Sequence, residues 1–137
     1  VVALGAIVRN VVNDQLLRLS YKEAKNIKNF LRSWGGLESL SHKGDTVATC
    51  ILCDLKHVTG IDIEKYKKFD RKEFNRGYLA GRLSQYQYMA ISYTLVLGYS
   101  QEEVAYVMGV DQSVISKNIN SGIKRIQREL RAYLEED

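Results

Sequence analysis

Apolar residues recur at intervals of three and four through most of the chain, the period of a helix buried along one face. The clearest run is carboxyl-terminal, where Ile119, Ile123, Ile126, Leu130 and Leu134 follow one another at spacings of four, three, four and four. Upstream, Ala24, Ile27, Phe30 and Leu31 form one stripe with Lys22, Lys25 and Lys28 away from it. That stripe predicts a helix from Tyr21 to about Trp34, stopped at Gly35–Gly36. Ala6 to Leu19 reads as a preceding helix, Gly36 to Asp45 as a loop, and Thr46 to Val58 as a helix ended by Gly60. A Ser followed three residues later by Glu or Gln, the capping-box pattern, stands at Ser20–Glu23, Ser84–Gln87 and Ser100–Glu103. With no proline in the chain, the expected fold class is all-α, a multi-helix domain with a long final helix.

Between Ile61 and Arg82 the pattern is mixed. The segment is charged and carries Tyr66, Phe69, Phe74 and Tyr78, while Gly77 and Gly81 weaken a continuous helix. Bases could stack on such aromatics, but rings packed inward with lysines outside are the favoured reading. This segment is also the expected joint between a helical amino-terminal region, 1–82, and a carboxyl-terminal region, 83–137.

From Leu83 onward the local signals agree. Ser84 caps a helix to about Leu97, where Gly98 can end it in a left-handed conformation. Ser100 caps the next, about Gln101 to Met108. Gly109 supplies the positive φ of a tight inter-helix turn, Val110 plugs the corner, and Asp111 starts a long last helix. Ala105 is the small residue that lets the two helices cross closely. Val104, Met108, Val110, Ile115 and Ile119 then face inward. The later stripe, Ile119 to Leu134, outlasts what two short helices need, so it packs on the amino-terminal helices or on a second copy of the chain. Packing within the chain is favoured, because the amino-terminal stripes also need partners.

Composition narrows the class further. The 137 residues, 45% hydrophobic and 26% charged, suit a soluble globular chain of one domain with a real core, or of two very small ones. The apolar start, Val1 to Val8, is too short to span a bilayer and has no basic flank, so no membrane role and a cytoplasmic location are expected. Cys50 and Cys53 form a CxxC with His57 four residues on, one ligand short of a zinc site and without the βαβ setting of a redox pair. Val47, Cys50, Ile51, Leu55 and Val58 share one helical face, so the thiols are expected to fill the core. Lys43-Gly44-Asp45-Thr46 lacks the order of a phosphate-binding loop. With only two histidines and no paired carboxylates on a known scaffold, neither catalysis, a metal nor a cofactor is expected. The net charge of +4 is modest. Residues 112–131, however, set Lys117, Lys124, Arg125, Arg128 and Arg131 against Glu129 alone, which suggests a polyanionic partner.

"LSQYQYMAISYTLVLGYSQEEVAYVMGV" followed by "DQSVISKNINSGIKRIQREL" resembles the helix-turn-helix of bacterial sigma factors that reads the −35 promoter element. The likeness covers residues 83–132 and rests on the order of its parts: a Leu-Ser-x-x-Gln start, a Gly-Tyr-Ser step, Glu-Glu-Val-Ala, a Gly-Val turn and a Lys-Arg-Ile close. Asp111 stands where Ser or Thr is usual, and Asn118 and Asn120 where arginines are common. Each departure lowers affinity. The resemblance implies a double-stranded DNA partner, with the final helix in the major groove and RNA polymerase a further candidate.

On that implication Gln112, Ser113, Ser116, Lys117 and Asn120 read bases. Ser100, Gln101, Lys124 and Arg125 hold phosphates. Ala105, Gly109, Val110, Asp111, Ile115 and Ile119 build the unit. Residues 1–82 lack the core-binding region of a full sigma factor, so the chain looks more like the small sigma-like regulators of bacteriophages and prophages, such as the ArpU/RinA-type late activators. The expected function is transcription regulation. The alternative is a phage DNA-packaging component of the small terminase kind.

Overall fold

The computed structural model describes residues 14–66 and 71–135. All its regular structure is helical: α1 (Asp14–Tyr21), α2 (Ala24–Arg32), α3 (Trp34–His42), α4 (Thr46–Thr59), a 3₁₀ turn (Ile63–Tyr66), α5 (Arg71–Ala80), α6 (Gln85–Ile91), which runs into a π turn (Ser92–Val96), α7 (Gln101–Met108) and α8 (Gln112–Glu135). No strand occurs among the described residues. The protein is all-α with a long final helix.

The amino-terminal helices divide differently from the pattern read above. Tyr21 ends a helix rather than starting one. Its ring is buried, and its hydroxyl donates to the Asp54 carboxylate at 3.0 Å, fastening α1 to α4. Ser20 makes no capping box: its hydroxyl donates back to the Leu16 carbonyl, and α2 starts after Glu23 with no side-chain cap. Of the helix expected over 6–19, residues 6–13 lie outside the described residues, and the rest belongs to α1. Ile27 and Leu31 of α2 are fully buried, as their four-residue spacing requires.

The expected loop from Gly36 to Asp45 is instead mostly helix α3, with Gly35 and Gly36 in its first turn. Trp34 decides this. Its ring is wholly buried, and its Nε1 donates to Glu38, one turn on, at 3.2 Å. Burying a large aromatic is worth about 4–6 kcal/mol, against about 1 kcal/mol for each helical glycine. The tertiary term wins.

A turn at Lys43–Asp45 brings α4 back along α3. Asp45 caps it by accepting the Ala48 amide at 2.9 Å. Cys50 is buried but Cys53 is exposed, and Val47 is 45% exposed. The inner face is therefore Cys50, Ile51, Asp54, Leu55 and Val58, not the one that would bury both thiols. Among the described residues no group of His, Cys, Asp or Glu is placed to hold a metal ion, and no helix is long and apolar enough to cross a membrane.

Helix α4 ends where Gly60 adopts φ 76°. Here the backbone itself is the packing surface. A Cβ at Gly60 would fall on the Gly77 carbonyl oxygen, and one at Gly81 on the Thr59 carbonyl. The Arg82 amide donates to the Val58 carbonyl at 2.9 Å. Two glycines that looked like breakers of α5 thus let it lie against the end of α4. Phe74 and Tyr78 of α5 turn inward onto Tyr88 of α6, and Phe74 stacks on Tyr93 at 5.2 Å. The side chains of Tyr66 and Phe69 lie outside the described set.

One apolar core runs through both halves of the chain. Its axis is α8, which packs on α1, α2, α4, α6 and α7. Ile119, Ile123, Ile126, Leu130 and Leu134 are all buried there, so the long stripe is covered by the chain's own helices.

Gly60→Ala should lose about 3 kcal/mol or more in urea unfolding, since left-handed strain and a backbone clash add. A loss below about 1 kcal/mol would mean that the α4–α5 contact is not as close as described. Burial, then the neighbouring Tyr99, raises the Tyr93 phenol above 10.0, with Arg71 acting the other way. A raised folded-state value means this contribution is whole below the unfolded value near 10.0 and is lost as pH climbs past it. Tyr93→Phe should therefore flatten the alkaline decline of stability in pH-dependent melts. An unchanged slope would refute the assignment.

Candidate nucleic-acid interface

Helices α7 and α8 are joined by Gly109, Val110 and Asp111 alone. Ser100 starts α7 with a complete capping box: its hydroxyl accepts the Glu103 amide at 3.1 Å, and its own amide donates to the Glu103 carboxylate at 3.2 Å. The same box is closed at Ser84 and Gln87 ahead of α6. Gly109 sits at φ 69° and the Val110 amide reaches back to the Ala105 carbonyl at 3.0 Å, a left-handed cap. Val104 and Ala105 are buried against Ile115 and Ile119, with Val110 and Met108 half-buried at the corner. Asp111 is exposed, immediately before α8, and its carbonyl accepts the Val114 amide at 3.0 Å.

Before this unit, α6 does not run straight to Gly98. From Ser92 its hydrogen bonds lengthen to the π pattern, with the Leu97 amide on the Ser92 carbonyl at 2.9 Å. Ser92 and Thr94 hydroxyls both donate to carbonyls four residues back, a habit that bends helices. After this π turn Tyr99 and Ser100 line a cleft with Lys28 and Arg32 of α2, which the simple helical period could not foretell.

The nine residues expected to meet DNA fall into two sets. Ser113, Lys117, Lys124 and Arg125 are exposed on α8 and bond to no other described side chain. The other five already have roles. Gln112 donates to Gln101 at 2.8 Å, locking the starts of α7 and α8 across the turn. The Ser100 hydroxyl accepts within its cap and keeps its proton to donate outward. Asn120 accepts from Lys28 of α2 at 3.3 Å. Ser116, half-buried, and Asn120, exposed, line a cleft of about 480 Å³ whose opposite wall carries Lys28 and Arg32.

At 100° per residue Ser116 and Asn120 lie on the flank of α8 facing α2, while Lys117, Ser121 and Lys124 point away from the core, with Ser113 between the two sets. Ser121 was not foreseen. It is exposed and held by Gln87 of α6 at 3.2 Å. Lys28 and Arg32 were also missed as members of this face. Their four-residue spacing on α2, about 100° round from Ile27 and Leu31, was a signal of cations beside the buried stripe, but nothing local said what they would stand beside.

No ion pair among the described residues neutralises Lys28, Arg32, Lys117, Lys124 or Arg125. The face therefore combines unpaired cations with hydroxyl and amide groups on a rigid two-helix corner. Such a surface can donate to phosphates and to base edges. Comparison of the chain with protein-family models, curated proteins and solved structures returned no match.

A Cβ at Gly109 would meet no atom within 4 Å. Gly109→Ala should therefore cost only the left-handed backbone penalty, about 1–2 kcal/mol, clearly less than Gly60→Ala by the same denaturation assay. Equal losses at the two positions would sink the distinction drawn between strain alone and strain with a clash.

Proposed function

We propose that this chain is a sequence-specific, double-stranded DNA-binding transcription regulator of sigma-like type, carrying no catalysis. The amino-terminal half of α8 enters the major groove, with Ser113 and Lys117 foremost. The observation that carries this reading is the pair's exposure, free of internal partners, on a corner set by two caps and a left-handed glycine. Lys117 can donate to guanine, and Gln112 keeps its carbonyl oxygen to accept from a base while its amide holds Gln101. Ser100, Gln101, Lys124 and Arg125 hold the phosphate backbone, joined by Lys28 and Arg32 from α2. Asn120 reads a base once Lys28 turns to phosphate.

The sigma-like order of motifs adds RNA polymerase as a partner and a cytoplasmic setting, of the kind found for small phage and prophage regulators. Asp111 and the two asparagines, Asn118 and Asn120, make the grip light, so an additional contact is needed for tight binding.

Sites selected from random duplex DNA should be preferred over scrambled ones in mobility-shift titrations, and binding should weaken steeply with salt. Lys117→Ala combined with Gln112→Ala should lower that preference by about 10- to 150-fold, one bidentate contact's worth, with the helical circular-dichroism signal unchanged. Undiminished preference in the folded variant would refute the recognition helix assigned here.

A further inference from the structure

Beyond the reading face, α8 runs on for several turns to Glu135, and its cations do not stop at Arg125. Lys117, Lys124, Arg128 and Arg131 fall within an arc of about 60° on the helix and span about 21 Å of its length. Across from the second half of this row lies α1. Together they form an open groove of about 590 Å³, walled by Arg18 and Lys22 on one side and by Lys124, Arg128 and Arg131 on the other. Among the described residues, Glu135 alone brings a carboxylate to the groove, and no ion pair neutralises Lys22, Lys124, Arg128 or Arg131.

The groove's shape is fixed by hydrogen bonds that do not use those charges. Gln127 donates to the Lys22 backbone carbonyl at 2.9 Å, and Arg18 donates to the Leu134 carbonyl at 3.0 Å near the end of α8. Arg18 thus holds the two helices together, and the opposite polarity of a helix end suits a cation there. Lys22, Arg128 and Arg131 hold nothing. Three exposed cations kept within one groove, with Glu135 the one carboxylate beside them, repel one another, and a cluster of that net charge is relieved by a polyanion.

We infer that the α1–α8 groove is a second phosphate-binding surface, on which Lys22, Arg128 and Arg131 grip the backbone of the duplex flanking the recognised sequence. The inference rests on the DNA-binding reading above and extends it. Double-stranded DNA carries a charge about every 1.7 Å, so a 21 Å row of four lysines and arginines faces about twelve phosphates and can pair with a few of them. The row is continuous with Lys117, and therefore a duplex seated on the reading face supplies the phosphates that the groove takes. This is the additional contact that a lightly built recognition helix needs.

The test uses the full chain and the triple variant Lys22→Gln, Arg128→Gln, Arg131→Gln, with Arg18 left in place. All three side chains are exposed and repel one another, so the variant should melt no lower than the parent. On the selected duplex, the dependence of log affinity on log salt should become shallower by about two to three, since each phosphate contact contributes about 0.9. Preference for the selected over the scrambled site should persist. Hydroxyl-radical protection should shrink on one flank only, with the centre still covered. Arg131→Gln alone should lower the slope by about one. An unchanged slope and footprint in the triple variant, with the parent still selective, would overturn the groove assignment and leave the recognition helix standing. Failure of the parent to prefer any duplex would overturn both. Loss of binding to anionic vesicles by the variant, with DNA binding untouched, would assign the groove to a membrane surface and so overturn the inference.

Discussion

Everything else in this protein is arranged around the two-sidedness of α8. Its apolar row, Ile115, Ile119, Ile123, Ile126, Leu130 and Leu134, is buried from end to end, and each such side chain is worth about 1.5–3 kcal/mol when removed from water. Five other helices pack on it. Because helical phase couples the two faces, burying the isoleucines also dictates where Ser113, Lys117 and Lys124 must point. A rotation of one residue, 100°, would drag a lysine into the core and push an isoleucine out. The outward face is therefore as rigid as the core beneath it. Buried Gly122 makes that contact close, since Ile91 of α6 occupies the space a Cβ would need there.

Polar ties fix the same helix sideways. Gln101, Gln87 and Lys28 each bond to a different side chain of α8, from α7, α6 and α2 respectively. Exposed bonds of this kind contribute only about 1 kcal/mol apiece. Their value is positional, because each stands at a different height along the helix. The cations take no part in this bracing, apart from Lys28 and Arg18. Apart from those two, the groups that hold α8 in place are not the ones that carry unbalanced charge.

The carboxyl-terminal third was legible in the sequence because its signals are local. Ser84 and Ser100 each close their boxes with a residue three positions on, and the left-handed turn at Gly109 needs only its own residue. The amino-terminal half was not legible in the same way, because its outcomes depend on distant partners. Ser20–Glu23 has the form of a cap, but the buried bond from Tyr21 to Asp54 keeps the chain helical past Ser20. Gly35–Gly36 has the form of a stop, but Trp34 finds a buried site. The CxxC helix was placed correctly along the chain and its face of Cys50, Ile51, Leu55 and Val58 is buried, but Val47 and Cys53 fall outside that face and are exposed. The candidate interface divides likewise. Residues on α8 were readable from the turn, whereas Lys28, Arg32 and Lys22 join it only through packing that brings α1 and α2 alongside.

The meeting of Gly60 with Gly77 and Gly81 has a consequence for how this chain can vary over time. The end of α4 and the end of α5 touch backbone to backbone, and Arg82 is bonded to Val58, so the chain returns at Arg82 to nearly the point it left at Gly60. The residues between thus belong to a loop closed at its base. Closure entropy grows only slowly with loop length, about 0.6 kcal/mol per doubling. Lengthening that excursion beyond the reach of Phe74 and Tyr78 would therefore leave the registration of α6, α7 and α8 undisturbed. The small residues at its neck act as a fixed port at which new sequence can be accepted without renegotiating the rest of the molecule.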